Sequence, residues 1–452
     1  MLFHKDVMNL AIPVMVEQFC ILIMGFLNSI IASSLGKEVV SAIGMIDSFN
    51  IVIIYAFSGL AIGGTVLVAQ FYGRKERNLS NESGKQILYI GTFISILITI
   101  IIGYYEHTIL YFLYNEAEPC VMENAISFWE ITIFTYPFIA IELIICGIFR
   151  GVGNTKLPMF INIIMNMLNI LLSYTFIYGV QFHTQEYSFE ITGLGIVGAA
   201  LGIGISRIIG GLLAIAFYAH GIGFLKIGNP FYFRPNLDLI KKIFSVGIPA
   251  AIEALLFNGG KIITQIYIVS LGTEAIAANY IAIYISAMLN IPGNALGVVA
   301  TTMVAQSIGK RNIAKAKENV IYILKLATAC LTIFALTCIP FYPGVVLWYT
   351  RDLVITKMVL DLLIMNSAFM VVWAISFVLP AGLKGAGDAT YTMIISLLGM
   401  WIFRIFGGYL LGIKLGFGIE GVWMGMFVDW LFRGSFYIKR LAGTAWYKHN
   451  IC

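Results

Sequence analysis

Charge is what this sequence has least of. Only 11% of its 452 residues are Asp, Glu, Lys or Arg, against roughly 25% in soluble domains, which excludes an ordinary cytosolic protein. Histidine is scarce too: His4, His107, His183, His220 and His449 all fall outside the apolar runs, and none forms a His-Glu-x-x-His spacing. Without that, without a nucleophile beside a base and without a polar stretch long enough for a catalytic module, the chain does not read as an enzyme. Cys20, Cys146, Cys330 and Cys338 lie in apolar runs, Cys120 sits alone between two of them and Cys452 is the last residue. That leaves no disulfide framework and no Cys-x-x-Cys metal spacing, so neither a metal nor another cofactor is expected. The net charge of +5 is dispersed, with no basic run carrying interleaved aromatics, so nucleic acid is not an expected partner.

Apolar residues are what is abundant, at 60% with a mean hydropathy of +0.90. Runs of about 20 residues, the length that crosses a hydrocarbon core of roughly 30 Å, occupy 8–34, 45–72, 86–105, 127–148, 157–180 and 193–218, then 243–269, 276–306, 319–342, 357–382, 391–413 and 418–438. Lipid offers no partner to free backbone groups, so these runs are expected to be helices. The first is longer than a signal-peptide core and lacks a small-residue cleavage site, and is expected to stay in the protein. Nineteen of the 28 basic residues fall on the side holding both termini and four on the other. The positive-inside rule then makes both termini cytoplasmic, in a multi-pass protein of the cell (plasma or inner) membrane. The main break in the apolar pattern, with Asn229-Pro230 and Lys241-Lys242, divides the chain into 1–219, a cytoplasmic linker 220–242, and 243–452.

The two halves repeat each other. Pro13, Glu17, Leu35-Gly36, Thr65, Ala69-Gln70 and Gly73 recur without a gap 236 residues later as Pro249, Glu253, Leu271-Gly272, Thr301, Ala305-Gln306 and Gly309. Arg150-Gly-Val-Gly153-Asn154 recurs as Lys384-Gly-Ala-Gly387-Asp388. Six spans is an even number, so the second half re-enters with the orientation of the first and the repeats are parallel. The expected fold is an all-α polytopic membrane protein of twelve transmembrane helices in two parallel six-helix lobes. Secondary transporters use such duplications because similar halves can rock about a shared midplane site.

The ordered recurrence of the Leu-Gly turn, Ala-Gln-x-x-Gly and the Arg/Lys-Gly-x-Gly-Asn/Asp turn resembles the multidrug and toxic compound extrusion (MATE) family over the whole chain. The segment from Gly247 to Glu253 with Phe257, Gly260-Lys261, Ala277-Ala278-Asn279 and Ile291-Pro292-Gly293 is similar to a bacterial branch sometimes called YoeA-like. The resemblance implies an antiporter that exports amphipathic organic compounds, often cationic, in exchange for H+ or Na+. Its partners are then small organic substrates and the lipid bilayer, and the chain is expected to act as a monomer. Well-known prokaryotic members carry aspartates where this chain has Asn28 and Ser173, and another family pattern has a glutamate where it has Phe257.

An ionisable group inside a span is costly and points to function by default. Glu253 lies eleven residues past Lys242, near mid-membrane at 1.5 Å per residue, and is the leading ion-coupling carboxylate. Glu17, its repeat mate, is the second. Asn162, Asn166, Asn169 and Ser173 share one helical face, and Glu17 and Asn28 share another, so these stripes are expected to line a polar cavity or to hold helices together. Lys261 and Asn279 join that cavity, with Asp361 or Asp429 as candidate counter-charges to Lys261. Asp429 and Arg433, four apart, form a structural ion pair, and Arg404 has no local partner. A lipid-linked precursor flippase of related two-lobe design is the alternative; it would need a strongly cationic central cavity, and basic residues inside the spans are few. An ion channel would need a selectivity loop or charged ring, and neither is present.

Overall fold

The computed structural model describes residues 5–114, 117–183, 188–221, 223–225 and 234–449. Helices α1 (Lys5–Ser33), α2 (Lys37–Gly73), α3 (Arg77–Leu113), α4 (Pro119–Ile133), α5 (Tyr136–Gly151), α6 (Lys156–Tyr178) and α7 (Gly195–His220) form the amino lobe. The carboxy lobe holds α8 (Leu237–Ser270), α9 (Thr273–Leu289), α10 (Ile291–Gly309), α11 (Ile313–Cys338), α12 (Tyr342–Leu347), α13 (Leu353–Ala368), α14 (Met370–Gly385), α15 (Ala389–Leu398) and α16 (Gly418–Ala442). A π-helical stretch, Gly399–Gly407, continues α15.

Seven helices among the described residues are long and apolar enough to cross a membrane, ten if each of three bent pairs is one span, and α8 and α16, with 34 and 25 residues, complete the twelve. The pairs α4–α5, α9–α10 and α13–α14 bend by 50°, 49° and 58°, where straight spans were expected at 127–148, 276–306 and 357–382. Pro137 and Pro292 sit in the first turns of α5 and α10, where a proline is tolerated because its missing N–H would have been unpaired anyway. The third bend, at Phe369, has no proline to announce it. Two further differences separate sequence from structure. A short antiparallel hairpin, Gly179–His183 with Ser188–Thr192, interrupts an otherwise helical chain. Of the expected linker 220–242, residues 222 and 226–233 lie outside the described residues, and α8 already begins at Leu237, where the Asn236 side chain accepts from the N–H groups of Asp238 and Leu239, capping donors the helix leaves unpaired.

The duplication is visible in the backbone. Gly36 and Gly272 take φ of 102° and 106°, Gly153 and Gly387 take 86° and 97°, and the non-glycine mates Lys75 and Arg311 take 62° and 56°. The same left-handed turns therefore close the same helices in both lobes. The lipid-facing surface is equally plain: Phe93, Ile100, Tyr104 and Phe112 on α3 are 62–84% exposed, an apolar belt that water would penalise and a bilayer solvates.

Candidate functional site

The lobes meet along α2 and α8, and along α1, α2 and α10. Small residues allow the approach: a Cβ on Gly63 would reach the Gly247 N and Cα at 2.8 and 2.9 Å, the close backbone contact that small residues permit between membrane helices. The repeated motifs carry this contact into a reciprocal seal. Gly73 packs on the Gln306 backbone and Gly309 on the Gln70 backbone. Gln306 Nε2 donates to the Gly151 carbonyl at 2.9 Å, and Gln70 Nε2 donates to the Gly385 carbonyl at 3.2 Å. Each glutamine thus bonds the glycine that follows the basic residue of the other lobe's Arg/Lys-Gly-x-Gly turn. Leu10 lies beside Gly153 and Arg440 beside Asp388, Nε to Oδ2 at 2.6 Å, so the seal lies at the end where α1 begins and α16 finishes. A core cluster in the opposite half of the amino lobe, around Phe128, Trp129 and Tyr136, contains amino-lobe residues alone.

The basic residues of those turns hold the two repeated glutamates. Glu253 Oε2 lies 2.8 Å from Lys384 Nζ; Ser396 Oγ donates to its Oε1 at 3.0 Å and Thr392 Oγ1 to its Oε2 at 3.4 Å. In the amino lobe Glu17, 2% exposed, accepts from Arg150 Nη2 and from Asn162 Nδ2 at 3.1 Å. Asn162 also donates to Glu142 at 3.0 Å. The two ion pairs are repeat mates, and in each the basic partner adjoins the sealing glycine.

On the far side of the seal is a cavity of about 490 Å³, a size suited to a drug-like molecule. Gln18, Leu22 and Tyr55 close it from the amino lobe, and the rest is carboxy-lobe: Phe257, Lys261, Arg404 and the indoles of Trp373, Trp423 and Trp430 among them. Asn279 is part of this wall and is fixed there, donating to Gln265 at 2.9 Å and accepting from Trp423 Nε1 at 3.0 Å. Glu253 stands one helical turn before Phe257 on α8.

The structure divides the sequence candidates. Lys261 and Asn279 reach the cavity; Asn28, Asn162, Asn166, Asn169 and Ser173 do not line it. Their stripe is split, with Asn162 on the Glu17 pair and Ser173 buried against Gly202 of α7. Asp429 and Arg433 are paired through two contacts, Nε to Oδ1 at 2.8 Å and Nη2 to Oδ2 at 3.0 Å, with Gly399 pressed against them. Neither Asp429 nor Asp361 pairs with Lys261: among the described residues no carboxylate comes within 4.0 Å of Lys261 or Arg404. Lys261 instead bonds Asn258 at 3.2 Å. Sequence reasoning missed Lys384 and Arg150 as partners of the glutamates, although both stand in the repeated motif. It also passed over Asp47 and Arg207, which belong to a buried polar knot where Arg207 donates to Thr135 at 3.2 Å and Tyr136 to Asn50 at 2.6 Å.

Two pseudo-symmetric helical lobes sealed at one end, with a ligand-sized cavity beyond the seal, define a membrane transporter. The family model MatE matches residues 13–175 and 249–410, once in each lobe, and the chain belongs to that family. Membership makes it a multi-pass, cation-coupled efflux antiporter and not an enzyme. The chain is 24% identical to the uncharacterized transporter YisQ of Bacillus subtilis over 97% of its own length and 94% of that protein's. It is also 24% identical to the multidrug resistance protein MdtK of Proteus mirabilis, covering 93% of this chain and 91% of the relative. A solved structure described as the outward-facing conformation of a multidrug resistance MATE family transporter superposes with a TM-score of 0.87 at 21% identity, over 97% of each chain. These likenesses do not favour the flippase alternative.

Proposed function

We propose that this protein exports small amphipathic organic compounds, drugs or toxins among them, in exchange for H+ or Na+ moving inward, as a monomer with both termini cytoplasmic. Residues 1–219 and 243–452 act as the two rocking halves. The observation that carries the mechanism is the line Glu253–Lys384–Gly385–Gln70, which joins a carboxylate one helical turn from the cavity residue Phe257 to the seal between lobes. With Glu253 ionised, Lys384 is held and its turn presents the Gly385 carbonyl to Gln70. A proton on Glu253 removes the charge that holds Lys384. Sodium would do the same by taking the carboxylate for itself, with the Ser396 and Thr392 hydroxyls as further oxygen ligands, the donor type hard cations prefer.

Loosening the seal from the cavity side is the step an antiporter needs: the cation enters from outside and the protein then opens inward, where cargo replaces it. Glu17, with Arg150, Gly151 and Gln306, repeats the arrangement in the amino lobe. Its Oε2 is buried without a hydrogen-bond partner among the described residues, yet Arg150 is bidentate-capable and always charged, so this pair is the more static of the two. The test is dye efflux from proteoliposomes under separately imposed sodium and proton gradients. Export driven by one inward cation gradient supports the proposal; flux that only follows the dye's own gradient refutes it.

A further inference from the structure

We propose that the carboxy-lobe half of the cavity is a site for an anionic group, so that the preferred cargo is an amphipathic compound with an aromatic body and a carboxylate, sulfonate or phosphate head. The claim deepens the export reading above and rests on it for its consequence, though not for the site itself.

The cavity wall carries two charged side chains, Lys261 and Arg404, and no carboxylate. Directly behind them Arg433 adds a third positive charge, so Lys261, Arg404, Arg433 and Asp429 together amount to three positive charges and one negative, a surplus of two. The acid in this group is already paired: Asp429 is fully buried, accepts from Arg433 Nη2 at 3.0 Å and has Arg433 Nε 2.8 Å from its Oδ1. Glu253 is held by Lys384 and Asp388 by Arg440. Among the described residues no carboxylate stands within 4.0 Å of Lys261 or Arg404. Two like charges at membrane depth are unfavourable unless water or a ligand compensates them, and a ligand that brings its own negative charge does so most directly.

The aromatic wall does not rescue a cationic cargo. A ring face attracts cations, but the protein's own cations already occupy these faces. Phe257 has Lys261 at 5.1 Å, Arg404 at 5.7 Å and Arg433 at 5.2 Å from its centroid, and Phe377 has Arg433 at 4.7 Å while stacking on Trp373 at 4.6 Å. A cationic molecule arriving here meets a surplus of two like charges and ring faces already taken. An anion meets an ammonium and a planar guanidinium, the latter matched to the two oxygens of a carboxylate or phosphate. Trp423 and the remaining indole surface are left for its apolar body. Arg404 lies within the π-helical stretch Gly399–Gly407 with its guanidinium over Phe257, and such irregular turns are frequent at functional sites.

The test uses three probes that share one body and differ in charge: 4-(pyren-1-yl)butanoate, the corresponding butanamide, and the corresponding butylamine. Binding to the protein in nanodiscs is read as energy transfer from tryptophan to pyrene, with empty nanodiscs subtracted. The butanoate is expected to bind about ten-fold more tightly than the amide, and the amine more weakly than either. Lys261→Gln and Arg404→Gln should each bring the butanoate toward the amide's affinity and leave the amide unchanged, whereas Lys261→Arg keeps the preference. If either glutamine variant fails to fold, the order of the three probes on the native protein decides. An amine bound as tightly as the butanoate, or a preference that survives both glutamine variants, overturns the anion site. Gradient-driven flux of the same probes in proteoliposomes separates the two readings: an anion that binds but is never exported defeats export, and an exported amine with no anion binding defeats the site alone.

Discussion

Replacing Gly309 by alanine should open the seal. A Cβ at this position would run into the Gln70 carbonyl oxygen, its nearest neighbour, and sit 2.7 Å from the carbonyl carbon and 2.9 Å from the Cα, whereas carbon atoms in contact prefer about 3.5–4.0 Å. The obstruction is backbone, so no rotamer change relieves it, and the lobes must part by at least about 1 Å at this point. Overpacking of this kind costs about 1–3 kcal/mol, charged only to the sealed state because the two surfaces separate when the lobes swing. That amount shifts a two-state equilibrium by about 5- to 150-fold. The readout is the distance between spin labels at Asn78 and Ala314, exposed repeat mates at the sealed end, in a protein whose native cysteines have been replaced. Gly309→Ala should lengthen that distance while the protein still inserts and unfolds cooperatively. Gln306→Ala, which deletes the 2.9 Å bond to Gly151 without adding volume, should move it the same way by less. An unchanged distance distribution in Gly309→Ala would mean that the helix ends yield locally, and the seal would lose its claim to govern the swing.

Three further outcomes follow from the ion pairs. Glu253→Gln should insert normally, bind cargo and lose gradient-driven export in proteoliposomes; wild-type rates with unchanged pH and sodium dependence would make the carboxylate a packing element. Glu17→Gln, measured in the same assay, should do less harm, since Arg150 also has Glu142 nearby through Asn162. Asp429→Asn strands the buried Arg433, 2% exposed, and should cost about 3–5 kcal/mol in denaturant or thermal unfolding. Adding Arg433→Met should recover much of that loss, and failure to recover would show that the pair does more than neutralise itself.

The repeat made much of this fold legible. Gly36 and Gly153 with their mates mark left-handed turns that recur with matching φ, and Gly73 with Gly309 marks a reciprocal close approach, because the same steric demand acts twice. The three bends were less accessible. Two follow prolines that a hydropathy window averages away, and the third, at Phe369, depends on how α13 and α14 pack. The cavity was legible only in part, since Asn28, Asn162, Asn166, Asn169 and Ser173 do not line it, and its pairings were not legible. Lys261 and Asn279 were readable as cavity residues from their depth, but the partner of Glu253 lies 131 residues along the chain at Lys384, and helical periodicity fixes a face without saying which helix will meet it. The asparagine stripe shows the limit from the other side: Asn162 and Ser173 share a face by spacing, yet α1 covers one and α7 the other.

The tie between cation occupancy at Glu253 and the inter-lobe seal can be measured directly. Spin labels at Asn78 and Ala314 should be followed in nanodiscs while pH is lowered and, separately, while sodium is added. In the wild type the distance should lengthen with one of these cations as Lys384 is released from Glu253, and in Glu253→Gln it should be long at the outset and indifferent to both. A Glu253→Gln protein whose distances respond to pH and sodium as the wild type's do would contradict the mechanism at its centre and place the coupling site elsewhere.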